Sequence, residues 1–264
     1  MNTFSFNSEP NYLKARILAP FAPRYRNRLL LRKLPPELRL IAFSTLVSND
    51  HRIVLVKNPK AGCTSAAHML YQFYNNSTFR GDIHQDHPSL IQGITRVREV
   101  HAALQNPDTF KFTTVRNPID RTLSAYKDFF ANKTNPESRR HANAIAHFGF
   151  RDTASNSDNF DAYLAFLEAY LSIDTLRADE HFRPQTINTS IDHIKYDAIC
   201  RVENLQYDIC TALETAGVSG ANIENIPAVA RNQSPSNSFR PNSEQTKRIC
   251  QLYEQDFETF GYEH

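Results

Sequence analysis

The chain has 264 residues, 41% of them hydrophobic and 22% charged, which describes a globular protein with a full core rather than a disordered one. A formal net charge of +2 is too small to call for nucleic acid or a membrane as a global partner, so any anion site has to be local. The four cysteines (Cys63, Cys200, Cys210 and Cys250) lack C-x-x-C spacing, which argues against zinc ribbons and dithiol redox motifs and suits a reducing cytoplasm.

Met1 to Pro10 is polar, without the basic-then-apolar order of a secretory signal, and no run approaches the ~20 apolar residues of a membrane span. These features predict a cytoplasmic protein. Through residue 45, Lys14, Arg16, Arg24, Arg26, Arg28, Arg32 and Lys33 alternate with Leu, Ile, Phe and Tyr. Pro20, Pro23, Pro35 and Pro36 interrupt this run. Residues 1–45 therefore read as a basic, irregular arm. A sharper reading is a patch that touches anionic lipid at the inner membrane or an acidic glycan. Residues 46–264, free of repeats and low-complexity tracts, read as one domain.

Ile53-Val54-Leu55-Val56 is a β-branched apolar run, as expected of a strand buried on both faces. Lys57 to Cys63 follows with the breakers Pro59 and Gly62, and Thr64 to Tyr71 reads as the start of a helix. A short helix is expected near Val97 to Leu104. Phe110 to Val115 predicts a second strand, Asn117 a helix cap and Pro118 the first helical position. Lys133 to Asn159 is polar and reads as a variable surface region, a wall of a substrate cleft. Helices follow from Phe160 to Leu171 and from Leu205 to Leu213, the latter after a short strand near Ala198 and closed by Gly217. A last helix carries Ile249, Leu252, Tyr253 and Phe260 and stops at Gly261.

The first strand–loop–helix suits a phosphate. Backbone N–H groups at a helix start are unpaired, Gly62 lets a bulky anion approach, Thr64 and Ser65 add hydroxyls, and Lys60 adds a full charge. Lys60 precedes Gly62, so the loop is not a Walker A motif, which places Lys after the second Gly. In the second unit, Ser124 lies eight positions after Arg116, close to two helical turns, so both can face a second anion. Two grips suit a nucleotide phosphorylated at two places. An ATP-dependent small-molecule or sugar kinase, a non-catalytic nucleotide- or glycan-binding protein, and a cysteine hydrolase built on Cys63 are the other readings.

Lys57-Asn58-Pro59-Lys60-Ala61-Gly62-Cys63-Thr64-Ser65 resembles the 5′-phosphosulfate loop of sulfotransferases that use 3′-phosphoadenylyl sulfate (PAPS). Thr114 to Tyr126 resembles their 3′-phosphate motif V-R-[DNE]-P-x-x-R-x-x-S-x-Y. Glu180-His181-Phe182-Arg183-Pro184-Gln185, Val202-Glu203-Asn204-Leu205 with Asp208, and Leu252-Tyr253 with Asp256-Phe257 are similar to segments of the carbohydrate branch, sulfotransferase family 2, which includes chondroitin, dermatan and HNK-1 enzymes.

The resemblance implies an α/β fold, a P-loop-like three-layer sandwich around a central parallel sheet. It implies PAPS as co-substrate, with Lys60, Ala61, Gly62, Cys63, Thr64 and Ser65 on the 5′-phosphosulfate and Arg116 and Ser124 on the 3′-phosphate. Arg231 and Ser234 would lie in a loop that closes over the nucleotide. A carbohydrate hydroxyl is the implied acceptor, and nucleic acid is not expected. Lys60 would stabilise the leaving phosphate, with His101 first and His181 second as general base. No metal is called for, since Lys60, the helix amides and Arg116 supply positive charge. Animal members of the branch carry a Golgi anchor and lumenal disulfides, so this chain reads as a bacterial-type cytoplasmic relative.

Overall fold

The computed structural model describes residues 4–7, 11–81, 83, 89–93, 96–217 and 239–263. The chain divides into a sheet unit, Glu9–Val115 with Thr186–Asn232, and a helical unit, Met1–Ser8 with Arg116–Gln185 and Gln233–His264.

The sheet unit begins with three short helices, α1 (Tyr12–Leu18), α2 (Pro23–Leu31) and α3 (Pro36–Ala42), where the sequence suggested an irregular arm. Pro23 and Pro36 occupy first-turn positions, where a missing N–H costs nothing and the ring presets φ. These prolines start helices. Leu31, Leu34 and Ala42 are buried together with Val97.

The strands are β1 (Thr45–Ser48), β2 (Ile53–Val56), β3 (Leu90–Gln92), β4 (Phe110–Val115) and β5 (Ala198–Arg201), in the order β3-β1-β2-β4-β5. β2, β4 and β5 run parallel, with Val56 opposite Thr113 and Thr113 opposite Ile199. β1 is antiparallel to both of its neighbours. Only four residues separate β1 from β2, too few for a crossover, so these two strands must form a hairpin. The result is a mixed α/β sheet with a parallel core.

Alternation along β2 makes the layers. Ile53 and Leu55 join a core with Leu70 of α4 (Cys63–Asn75) and with Ile209 and Leu213 of α10 (Leu205–Thr215). Val54 and Val56 point the other way, into a core with Ile41 of α3 and Val100 of α5 (Val97–Gln105). α9 (Gln185–Thr189) begins on the last residue assigned to the helical unit.

The helical unit contains α6 (Pro118–Tyr126), which runs into a π-helical turn at Lys127–Ala131, then α7 (Ser138–Ala146), α8 (Asn156–Ile173), α11 (Ser243–Leu252) and α12 (Glu254–Phe260). Its core is aromatic: Tyr126, Phe129, Phe130, Phe160, Tyr163, Phe166, Tyr170, Phe182 and Phe257 are all buried. α7 lies inside the stretch expected to be a variable surface region, and His141, Ala144 and Ile145 hold it to the core. The expected single last helix is two, broken at Tyr253 (φ −121°, ψ 28°).

Candidate active site

The loop after β2 is built on two left-handed residues, Lys60 (φ 64°) and Gly62 (φ 72°). For a lysine that conformation costs roughly 1–2 kcal/mol. Space at Gly62 is tight as well: a Cβ there would lie 3.1 Å from Val202 Cγ2 and 3.2 Å from Leu205 Cδ2, so both side chains would have to give way. Asp208 Oδ2 accepts the Arg201 backbone N–H (2.7 Å) and anchors the Val202–Leu205 segment. Asn58, fully buried, donates through Nδ2 to the Thr114 carbonyl (3.0 Å) and so ties the loop to the end of β4.

α4 starts directly after Gly62, which has no side chain to cap it, and the first turn carries no acidic residue. Lys60, Cys63 and Thr64 are partly exposed, whereas Ala61 and Ser65 are buried. An uncapped helix start with a lysine and two hydroxyls is a cradle for a phosphate or sulfate group.

In the helical unit, Arg116 is clasped through its backbone. Its N–H donates to Gln185 Oε1 (2.9 Å), and Gln185 Nε2 donates to its carbonyl (2.8 Å). Gln185 in turn donates its own N–H to Asp256 Oδ2 (2.8 Å), and both side chains are fully buried. Asn117 Oδ1 accepts from the Ile119 N–H (2.9 Å) and caps α6, with Pro118 in the first turn as expected. The Arg121 guanidinium donates to the carbonyls of Arg183 (2.8 Å) and Glu180 (3.1 Å), and the Tyr253 hydroxyl donates to the Phe182 carbonyl (2.7 Å).

Ser124 is partly exposed on α6, and Asp120, Ser124 and Lys127 recur at helical spacing on one face. Burial, followed by the charges of Arg240 and Arg116, holds the Lys127 ammonium below its usual range. Asp120 pairs with Arg240 (2.8 Å). Three cations around one carboxylate leave a net positive field beside Ser124.

The histidines separate clearly. His101 sits on α5 in the sheet unit, partly exposed, and makes no ion pair among the described residues. His181, in the helical unit, donates from Nδ1 to Asp179 Oδ1 (2.7 Å) and from its backbone N–H to the same oxygen (3.0 Å). His141 Nε2 lies 3.0 Å from Asp179 Oδ2. Burial pushes the Asp179 carboxyl up, but the hydrogen bonds from His141 and His181 outweigh it and hold the group well below the usual carboxylate range. Arg231 and Ser234 lie outside the described residues, as do His84 and His87.

The structure therefore brings Lys60, Ala61, Gly62, Cys63, Thr64 and Ser65 together at one helix start, and Arg116 and Ser124 on and beside another helix. Sequence reasoning missed Asn58, Asp179, Gln185, Lys127 and Arg240. Asn58 and Gln185 lie inside segments quoted for the resemblance, without a role given to them, and Lys127 lies three residues past Ser124 on the same helix face.

A family profile described as "Sulfotransferase family" matches residues 44–263. Carbohydrate sulfotransferase 14 of Mus musculus is 25% identical over 172 residues, covering 64% of this chain and 45% of that protein. Carbohydrate sulfotransferase 14 of Danio rerio is 24% identical over 247 residues, covering 86% and 64%. Carbohydrate sulfotransferase 11 of Mus musculus is 23% identical over 237 residues, covering 82% and 66%. The chain thus spans from under half to about two thirds of the length of these curated relatives. No solved structure gives a significant match.

Proposed function

The chain belongs to the sulfotransferase family, and on that premise we propose that it transfers the sulfuryl group of PAPS to a hydroxyl of a carbohydrate acceptor. The observation that carries the donor assignment is the uncapped start of α4, with Lys60 and Gly62 both in left-handed backbone ahead of it. PAPS supplies a sulfuryl group on a good leaving phosphate. The residues have to hold it in line and stabilise charge on the departing oxygen.

In this reading Lys60, Ala61, Gly62, Cys63, Thr64 and Ser65 hold the 5′-phosphosulfate, and Lys60 meets the developing charge. Arg116 and Ser124 hold the 3′-phosphate in the positive field shared with Lys127 and Arg240. Arg231 and Ser234 close over the nucleotide, an assignment that rests on the sequence alone. His101 and His181 are the candidates for the base that takes the acceptor's proton. The names of the relatives support a carbohydrate as the acceptor class. Residues 46–264 act as one catalytic domain in this reading, with 1–45 as a basic arm.

The arm supports a cytoplasmic enzyme held at the inner membrane. Leu13, Ile17 and Phe21 recur at helical spacing and are 71%, 63% and 83% exposed, flanked by exposed Lys14 and Arg16. The full chain is expected to pellet with vesicles containing phosphatidylserine and not with neutral ones. A variant carrying Leu13→Ser, Ile17→Ser and Phe21→Ser should stay in the supernatant; undiminished pelleting of that variant would end the membrane reading.

The donor assignment is tested by calorimetry with 3′-phosphoadenosine 5′-phosphate, ATP and AMP in the presence of a chelator. The bisphosphate should bind tightest. Arg116→Ala should weaken it about 10- to 100-fold, as expected for loss of charge-assisted hydrogen bonds, and should leave AMP little changed. A preference for ATP, or indifference to Arg116→Ala, would overturn the reading and put an ATP-dependent kinase first.

A further inference from the structure

We infer that Asp179 is a positioning residue that makes His181, rather than His101, the general base for the acceptor hydroxyl. This rests on the sulfotransferase reading above. The Asp179 side chain is 3% exposed and that of His181 is 22% exposed, so a buried carboxylate backs a partly exposed ring. With Nδ1–H donated to Oδ1, the ring's lone pair is on Nε2, the nitrogen a base needs. His181 makes no hydrogen bond through Nε2 to any described residue.

The support around the pair is extensive. The Tyr170 hydroxyl accepts from the Asp179 N–H (3.0 Å) and donates to the Ser5 carbonyl (2.7 Å), which locks the aspartate backbone. Arg140 lies 3.6 Å from Oδ2, and His141 occupies that oxygen from the other side. The His181 ring packs on Phe129 with centroids 5.0 Å apart. Phe129 also lines a cavity of about 350 Å³, together with Phe130, Phe150, Lys133, Arg139 and Arg151. The cavity has room for a sugar residue, and His181 packs against one of its walls without itself lining it. His101 has no such carboxylate among the described residues.

In the transfer step, the acceptor oxygen bonds to sulfur as its proton passes to His181 Nε2. The bridging S–O bond breaks, its electron pair stays on the 5′-phosphate oxygen, and 3′-phosphoadenosine 5′-phosphate leaves. Asp179 stabilises the imidazolium until it returns the proton to water.

Replacement of Asp179 separates orientation from charge. In Asp179→Asn, the amide oxygen must stay toward His181, because the His181 backbone N–H can only donate. The new NH2 then faces His141 Nε2, and His141 can shift its proton to Nδ1, which has no hydrogen-bond partner among the described residues. The asparagine variant therefore keeps the His181 tautomer and loses only the charge, whereas Asp179→Ala loses both.

The test uses the full chain. Ring tautomers are read from long-range 1H–15N spectra of histidine-labelled protein. Turnover is read as transfer of labelled sulfuryl from PAPS to a panel of neutral and uronate-containing oligosaccharides, or to water. Calorimetry with 3′-phosphoadenosine 5′-phosphate serves as the folding and donor control. Wild type should show His181 as the Nδ1–H tautomer. His181→Ala and Asp179→Ala should each lower kcat about 10²- to 10⁴-fold, with Asp179→Asn between them and wild type and donor affinity little changed. An Nε2–H tautomer at His181, or turnover of His181→Ala within about 3-fold of wild type, would overturn the inference. A wild-type chain that binds no bisphosphate and transfers no sulfuryl would instead remove the sulfotransferase reading, while the tautomer would still decide the pairing.

Discussion

Lys60→Ala is expected to lower kcat by at least about 10²-fold, or about 2.7 kcal/mol of transition-state stabilisation, and to weaken binding of PAPS itself much less. The asymmetry follows from when the charge develops. The leaving phosphate gains negative charge only as the S–O bond breaks, so a cation placed there acts more on the transition state than on bound PAPS. Backbone and side chain can be separated at this position because Lys60 has φ 64°. Alanine inherits the strain, while glycine relieves it. Lys60→Gly should therefore melt no lower than Lys60→Ala, yet be equally slow. Arginine keeps the charge but spreads it over a planar fork and should restore only part of the rate. Single-turnover rates and melting temperatures of the three variants check this. If Lys60→Gly retained turnover, the loop's shape rather than the lysine would be what matters.

The parts of the fold that could be read in the sequence are those whose signals are local. The β-branched run of β2 is buried on both faces, Asn117 and Pro118 open α6, and Gly261 (φ 61°) closes α12. Elements that depend on distant partners were hidden. β1 is four residues long and becomes a strand only between β2 and β3. α7 shows a single turn of buried spacing, His141, Ala144 and Ile145, within an otherwise polar stretch. Of the prolines read as breakers in the arm, Pro23 and Pro36 are first-turn residues, because the same ring that ends one helix begins another.

The candidate site divides along the same line. Its cradle is made of backbone, so its signal is carried by the residues that permit the backbone path: Gly62, the lysine beside it and the hydroxyls that follow. The frame is long-range. Gln185 holds Arg116 across 69 positions, and Asp256 holds Gln185 across 71. Neither residue type announces such a bond. Asp179 directly precedes the Glu180-to-Gln185 segment, and of these two adjacent carboxylates only Glu180 is substantially exposed.

Arg121 sits inside this frame, and Arg121→Ala is expected to be the most destabilising substitution in the helical unit, at roughly 3–5 kcal/mol. The residue is 2% exposed, and its guanidinium serves two carbonyls, those of Arg183 and Glu180. Alanine leaves both acceptors without that donor and opens a space where the side chain was packed, and the two losses act together. Lysine can reach one carbonyl but cannot fork to two, so Arg121→Lys should recover less than half of the difference. Because the same segment carries Gln185, donor affinity should fall only as the folded population falls. Urea midpoints measured with and without the bisphosphate separate these effects. A variant that folds within about 1 kcal/mol of wild type but has lost the bisphosphate would make Arg121 a ligand. The expected result is the reverse: a motif arginine that never touches the nucleotide and holds the segment whose Gln185 clasps Arg116.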